Sequence, residues 1–374
     1  MTTLDDFIEG FSEEPGYLDF ARRAPIGRTA RDEESAMSSL LGRARFGTLD
    51  TLDEQDARVR AAVAALTGFR DDQVVFQPNT SQGLMHTMFG ITGEVLLSPR
   101  EFASNTYAVS RAADALGAVA PRWLETDHGR VTPGNIRDQL TSSVEAVVVS
   151  LVDFRTGYLA DLEGIRQVIG DRLLIVDAIQ GFSVVDAPFA LADVVVAGGQ
   201  KWVRSGWGTG FMALSDRAVD QLTPVFSGFN GTDIEGLPLD EVLPPTHSAA
   251  AFQVSNPDPI AQSRFAVALE GIAAVGVPVI NARLAEKVSR IIDLADEYAV
   301  PVASPRDESE RAGIVVLEPA PDQLTVLTAS LYNHGVSSTT RAGQVRLSPH
   351  VTTNEDTFDM LRGSFVSFAS AIQV

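Results

Sequence analysis

From residue 73 onward, short unbroken apolar runs alternate with stretches of helical spacing. The runs are QVVF (73–76), EVLLS (94–98), EAVVVSLV (145–152), LLIV (173–176), DVVVAG (193–198) and GFMALS (210–215). Each has the length of a strand and is apolar throughout, which predicts strands covered on both faces. Strand and helix taking turns predict an α/β fold, a mainly parallel central sheet with flanking helices. Ahead of the first run, Val59, Val63 and Leu66 recur at helical spacing, and Gly68 marks a stop.

The pattern changes in the last third. Residues 220–258 are crowded with Gly, Pro, Asn and Asp, which predicts loops. A long amphipathic segment over 260–298 leads into GIVVLEP (313–319), QVRLS (344–348) and a closing helix near 355–371. The expected division is an N-terminal segment over 1–25 packing with the small domain, a large α/β domain over 26–258, and a small α+β domain over 259–374.

Composition narrows the function. The net charge of −20 repels nucleic-acid phosphates and anionic lipid, so neither is an expected partner. An anionic cofactor would need a local site. Cysteine is absent, which rules out disulfides, thiolate metal sites and a Cys nucleophile. A persulfide could not be carried on the chain's own thiol either, so a Cys-dependent desulfurase is not expected. The five histidines lack metal-ligand spacing, and no metal is expected. The acidic start MTTLDDFIEG is unlike a signal peptide, and no run approaches the ~18 apolar residues of a membrane helix. A cytoplasmic location is expected.

Lys201 and Lys287 are the only lysines. Asp177 directly follows LLIV, which puts its carboxylate at the C-terminal end of a central strand, where open α/β sheets bind ligands. Lys201 follows the next apolar run, after the pair Gly198-Gly199. A carboxylate and an amine on neighbouring strand tips suit pyridoxal 5'-phosphate. That cofactor needs an amine for a Schiff base and an anion to keep its ring nitrogen protonated. Displaced by substrate, the same lysine is placed to carry the Cα proton. Taken singly, Asp177 would be a strand-end cap and Lys201 a surface residue; together they favour the cofactor. Lys287 lies on the polar side of a helix. The segment QVVFQPNTSQGLMHTMFGI reads as strand, turn and helix, with Asn79, Thr80 and Ser81 at a helix start suited to a phosphate or to simple capping.

The run VDAIQGFSVVDAPFALADVVVAGGQKWVRSGWGTGF resembles the cofactor region of the class V aminotransferase family, the fold-type I pyridoxal-phosphate enzymes. The resemblance extends from about Tyr17 to the C-terminal helix, and Asp-x-x-Gln followed by Lys is its specific part. It implies that Asp177 pairs with the pyridine nitrogen, Gln180 bonds the phenolic oxygen and Lys201 forms the Schiff base. It places Thr80 and Ser81 at the phosphate, Phe102 stacked on the cofactor, and Arg346 on the substrate carboxylate. Asn256 matches a position often donated to the partner subunit's phosphate, which implies a homodimer. Read without the family, Phe102 is a core residue, Asn256 a turn residue and Arg346 a solvated one.

Departures from the family are local. Gly198 and Gln200 stand where many members have Ser-x-His, and Gln200 is the substitute phosphate donor. Phe154-Arg155 precede Thr156-Gly157 where desulfurases have Asn-Glu. The Phe at the stacking position, SNP at 255–257 and KWVRSG lean toward kynureninases, which usually carry His and Tyr where Gln180 and Gln200 stand. The implied activity is on an α-amino acid, by transamination or by a kynureninase-like or C–S lyase cleavage. The alternative is a catalytically silent cofactor-binding regulator, against which the intact Asp177, Gln180, Lys201 and Arg346 set argues.

Overall fold

The apolar runs become the strands of one seven-stranded sheet in the computed structural model, which describes residues 2–233 and 240–372. In chain order they are β1 (Val74–Phe76), β2 (Gly93–Leu97), β3 (Val119–Trp123), β4 (Val144–Ser150), β5 (Leu173–Asp177), β6 (Val194–Gly198) and β7 (Gly210–Leu214). The spatial order is β1-β7-β6-β5-β4-β2-β3. β7 runs antiparallel to both its neighbours, and the other pairings are parallel. β1 therefore points the same way as the parallel set, and its C-terminal end joins theirs at one sheet edge.

Continuous Val/Leu runs are what such a sheet requires. Successive side chains point to opposite faces. Val147, Val149, Leu174 and Val176 enter one apolar core, while Val148, Leu173, Ile175 and Val196 enter another. A polar residue at any of these positions would be buried against a helix layer. β3 escaped the sequence pattern because it is an edge strand containing Pro121 and exposed Trp123.

The segment 260–298 is two helices, Pro259–Val275 and Val277–Glu297, bent by 84°. Gly276 separates them at φ 92°, a conformation open to glycine, and Pro278 follows at the start of the second helix. Among the described residues no single helix is long and apolar enough to cross a membrane. Of the loop-rich stretch over 220–258, residues 234–239 lie outside the described residues.

A second, antiparallel sheet follows: β8 (Val315–Leu317), β9 (Thr339–Arg341) and β10 (Gln344–Leu347), in the order β8-β10-β9. Its apolar residues Val345 and Leu347 continue one core of the large sheet. Tyr17 and Asp19 pair with Ser337 and Ser348 beside it, so the N-terminal segment runs along the second sheet. This arrangement hangs β9 and β10 over the C-terminal edge of the first sheet.

Candidate active site

Side chains from four strand ends of the first sheet and from two strands of the second meet in a cavity of about 440 Å³ at that edge, a size usual for small-molecule sites. Thr80 and Ser81 arrive after β1, Phe102 after β2, Asp177 from the end of β5, and Gln200 and Lys201 after β6, while Arg341 and Arg346 enter from the second sheet. Eight of the nine residues singled out in the sequence thus line one space.

Asp177 is 2% exposed. Its carboxylate accepts from the Ile179 N–H at 3.2 Å and from Asn105 Nδ2 at 2.9 Å. Burial raises its proton affinity above the ordinary carboxylate range, against the opposing pull of Ile179, Lys201 and Asn105. Burial likewise lowers the Lys201 amine to about 8; Asp177 resists that shift, and the Arg346 and Arg341 guanidiniums assist it. Acid and amine therefore act on each other across one cavity. The Lys201 Nζ lies 5.8 Å from the centre of the Phe102 ring, which itself meets Phe154 edge-on at 5.2 Å.

The anion end of the cavity is the start of the helix Thr80–Gly90. Asn79 caps it, accepting from the Gln82 N–H at 2.9 Å. The Thr80 hydroxyl is buried without a hydrogen-bond partner among the described residues, while Ser81 shares a 2.7 Å bond with Ser104. Gly198 keeps the floor open: a Cβ there would stand 2.5 Å from Gln200 Oε1 and 3.1 Å from Thr80 Oγ1.

Two residues are less free than the sequence implied. The Gln180 amide is engaged on both sides: Nε2 donates to the Ala21 carbonyl at 2.9 Å, and Oε1 accepts from Trp202 Nε1 at 3.2 Å. One Nε2 hydrogen is left over. Arg346 donates to the Phe154 carbonyl at 3.2 Å and stands 3.7 Å from Asp19, with its Nε unpartnered among the described residues. Asn256 is apart from the cavity of its own chain, exposed and bonded to Asn230.

Sequence reasoning overlooked Asn105, Glu101 and Arg341. Asn105 is wholly buried on Asp177, one helical turn into Ala103–Leu116. Glu101 is buried on the N–H and hydroxyl of Ser150, and burial lifts its carboxyl to about 7. The signal for both was polar residues just beyond the apolar run of β2. Arg341 belongs to a strand with no apolar run to mark it.

Residues 36–369 match the family described as Aminotransferase class-V, and the chain belongs to that family. It is 27% identical over 331 residues to the probable hercynylcysteine sulfoxide lyase of Mycobacterium tuberculosis, covering 83% of this chain and 79% of the other. It is 26% identical over 225 residues to the probable cysteine desulfurase of Methanothermobacter thermautotrophicus, 57% and 56% of the two chains. In fold it is similar to a C-DES mutant with glycine covalently linked to its PLP cofactor, with a TM-score of 0.85, 16% identity and coverage of 95% and 96%.

Pyridoxal phosphate is the cofactor, and the cavity fits it. An orphaned hydroxyl at a helix N-terminus suits the phosphate, and a buried carboxylate faces a buried amine. The expectation that a Cys-dependent desulfurase is excluded is corrected by these relatives: the chain is similar to a probable cysteine desulfurase as well as to a probable sulfoxide lyase of the same family. The absence of cysteine bears on a single thiol, whereas kinship rests on the scaffold that holds the cofactor.

Proposed function

We propose that the protein is a pyridoxal-phosphate-dependent, desulfurase-like C–S lyase that acts on an S-substituted cysteine. With water, such a substrate yields a thiol (a sulfenic acid from a sulfoxide), pyruvate and ammonium. The observation that carries the reading is Asp177 and Lys201 on adjacent strand tips facing one cavity. The choice of bond is supported by the curated relatives, named for sulfoxide lysis and for desulfuration.

When bound, the cofactor supplies a sink for the electron pair left at Cα when a bond there breaks. The chain's residues do the rest. Asp177 holds a cationic ring N–H, with Asn105 fixing the carboxylate. Thr80, Ser81 and the exposed N–H groups of their helix hold the phosphate, with Gln200 as a further donor. Gln180 offers its remaining N–H to the phenolic oxygen, and Phe102 covers the ring. Lys201 anchors the cofactor's aldehyde; once free, an amine titrating near 8 is a competent base for the Cα proton near neutral pH. Arg346 takes the substrate carboxylate in a planar, two-point contact. We place Asn256 at the partner's site in a homodimer, because it is exposed and outside its own cavity.

The test is product analysis. Purified protein with cofactor is given L-cystine, an S-alkyl-L-cysteine sulfoxide or L-alanine, and pyruvate and ammonium are followed with no keto-acid acceptor present. Pyruvate is expected from the sulfur substrates, and Lys201→Ala should lower its rate by about 10²–10⁴-fold. A strict need for a keto-acid acceptor, with sulfur retained in the product, would make the enzyme a transaminase.

A further inference from the structure

Beside the cofactor cavity lies a larger one, about 900 Å³, whose shared wall is Phe102, Phe154, Arg341 and Arg346. It is lined by Arg100, Arg130, Arg155, Arg341 and Arg346. Five arginines around one opening are unexpected in a chain of net charge −20. Arg100, Arg155 and Arg341 have no carboxylate within 4.0 Å among the described residues. Arg130 is occupied: it lies 3.6 Å from Glu310 and stacks on Tyr158 at 5.5 Å.

The unpaired guanidiniums are positioned. Those of Arg155 and Arg341 lie 5.3 Å and 5.9 Å from the centre of the Phe154 ring, within range of cation–π attraction. Thr339 pairs with Arg346 across β9 and β10, and Arg341, two residues on, shares the face of Thr339. Arg341 and Arg346 thus rise from one face of the second sheet. The acids lining the space have other duties. Asp153 accepts from the Arg155 and Thr156 N–H groups and the Thr156 hydroxyl, Glu101 from Ser150, and Glu318 from Gln344.

We propose that this outer cavity binds a carboxylate at the far end of the substrate's sulfur substituent, with Arg155 and Arg341 as its receptors. The substrate class is then cysteine S-conjugates bearing a second carboxylate. The geometry assigns the two anions to different arginines: Arg346, at the shared wall, takes the α-carboxylate beside Lys201, and the unpaired pair takes the distal one. The outer volume accommodates a substituent well beyond a methyl group. This inference rests on the C–S lyase reading, and the test separates the two.

Turnover is compared for S-(2-carboxyethyl)-L-cysteine sulfoxide and its uncharged isostere, the S-(2-carbamoylethyl) sulfoxide, with wild type, Arg155→Met and Arg341→Met holoenzymes. The acid should be preferred by tenfold or more in kcat/KM. Each substitution should cut that preference by about tenfold, through KM. For Arg155→Met, which lies outside the cofactor cavity, turnover of the amide stays unchanged and reports correct folding, while Arg341→Met, whose guanidinium also acts on Lys201, is read from the ratio of acid to amide. A preference near one, or one that neither substitution moves, overturns the proposal. Calorimetric binding of heptanedioate and hexanoate to the same holoenzymes gives a reading without turnover. Tighter binding of the dicarboxylate that vanishes in Arg341→Met supports the site even where neither sulfoxide is cleaved, in which case it is the lyase reading that fails. Equal affinities for the two acids overturn the site.

Discussion

Glu101 and Lys201 are displaced in opposite directions by the same cause. Removal from water disfavours the charged form, so the carboxyl rises to about 7 and the amine falls to about 8. For Glu101 the folded value lies above the unfolded one. Below pH 4.5 both states hold the proton and there is no penalty; the cost grows as pH rises and is complete above about 7. Glu101→Gln keeps an acceptor for the Ser150 N–H and removes the charge. The variant should gain up to about 3 kcal/mol relative to wild type above neutral pH and little in acid. Denaturant unfolding at two pH values measures this; an equal effect at both would mean that Glu101 is not destabilised by its burial.

The helix Thr80–Gly90 is set on the sheet by close contact at Gly83. A Cβ there would stand 2.5 Å from Val196 Cγ1 and 3.6 Å from Met212 Cβ. Val196 is fully buried, β-branched and paired in register with Asp177, so it has little room to yield. Gly83→Ala is expected to lift the helix and carry the Thr80 hydroxyl away from Gln200. Overpacking costs about 1–3 kcal/mol, against the roughly 1 kcal/mol by which alanine favours a helix, so a net loss should appear. Unfolding measures the loss, and a cofactor titration should show weaker binding. A stabilised variant with unchanged cofactor affinity would show that the helix is not seated by this contact.

The N-terminal segment ties the two sheets together. Arg204, which follows the cofactor lysine by three residues, has a wholly buried side chain. Its guanidinium donates to Glu13 at 2.9 Å and 2.5 Å and to Thr352 at 3.2 Å, and lies 3.9 Å from the Phe11 ring centre. Burial alone would raise the Glu13 carboxyl, but Arg204 and Thr352 hold it below the ordinary value. Glu13→Ala strands a buried cation and should cost about 3–5 kcal/mol. The Glu13 contribution is present above its unfolded value and lost as pH falls through the lower folded one, so the variant and wild type should converge in acid. A small, pH-independent loss would show that the pair is not a clasp.

The sequence alone determined the sheet strands and the cofactor pair. Residues buried on both faces must be apolar throughout, and a lysine and an aspartate at the ends of such runs stand out because charge there needs a purpose. The start of Thr80–Gly90 was legible for a related reason, since capping chemistry is local. Tertiary structure decided what depends on distant neighbours. The edge strands β3 and β9 carry mixed patterns because solvent or the cavity takes one side of them. Asn105 and Glu101 owe their roles to Asp177 and Ser150 on other strands, and burial, with the charges of Asp177, Arg346 and Arg341, sets the proton affinity of Lys201. The outer ring of arginines comes from four separate segments, and only the fold of the second sheet over the first brings them to one opening.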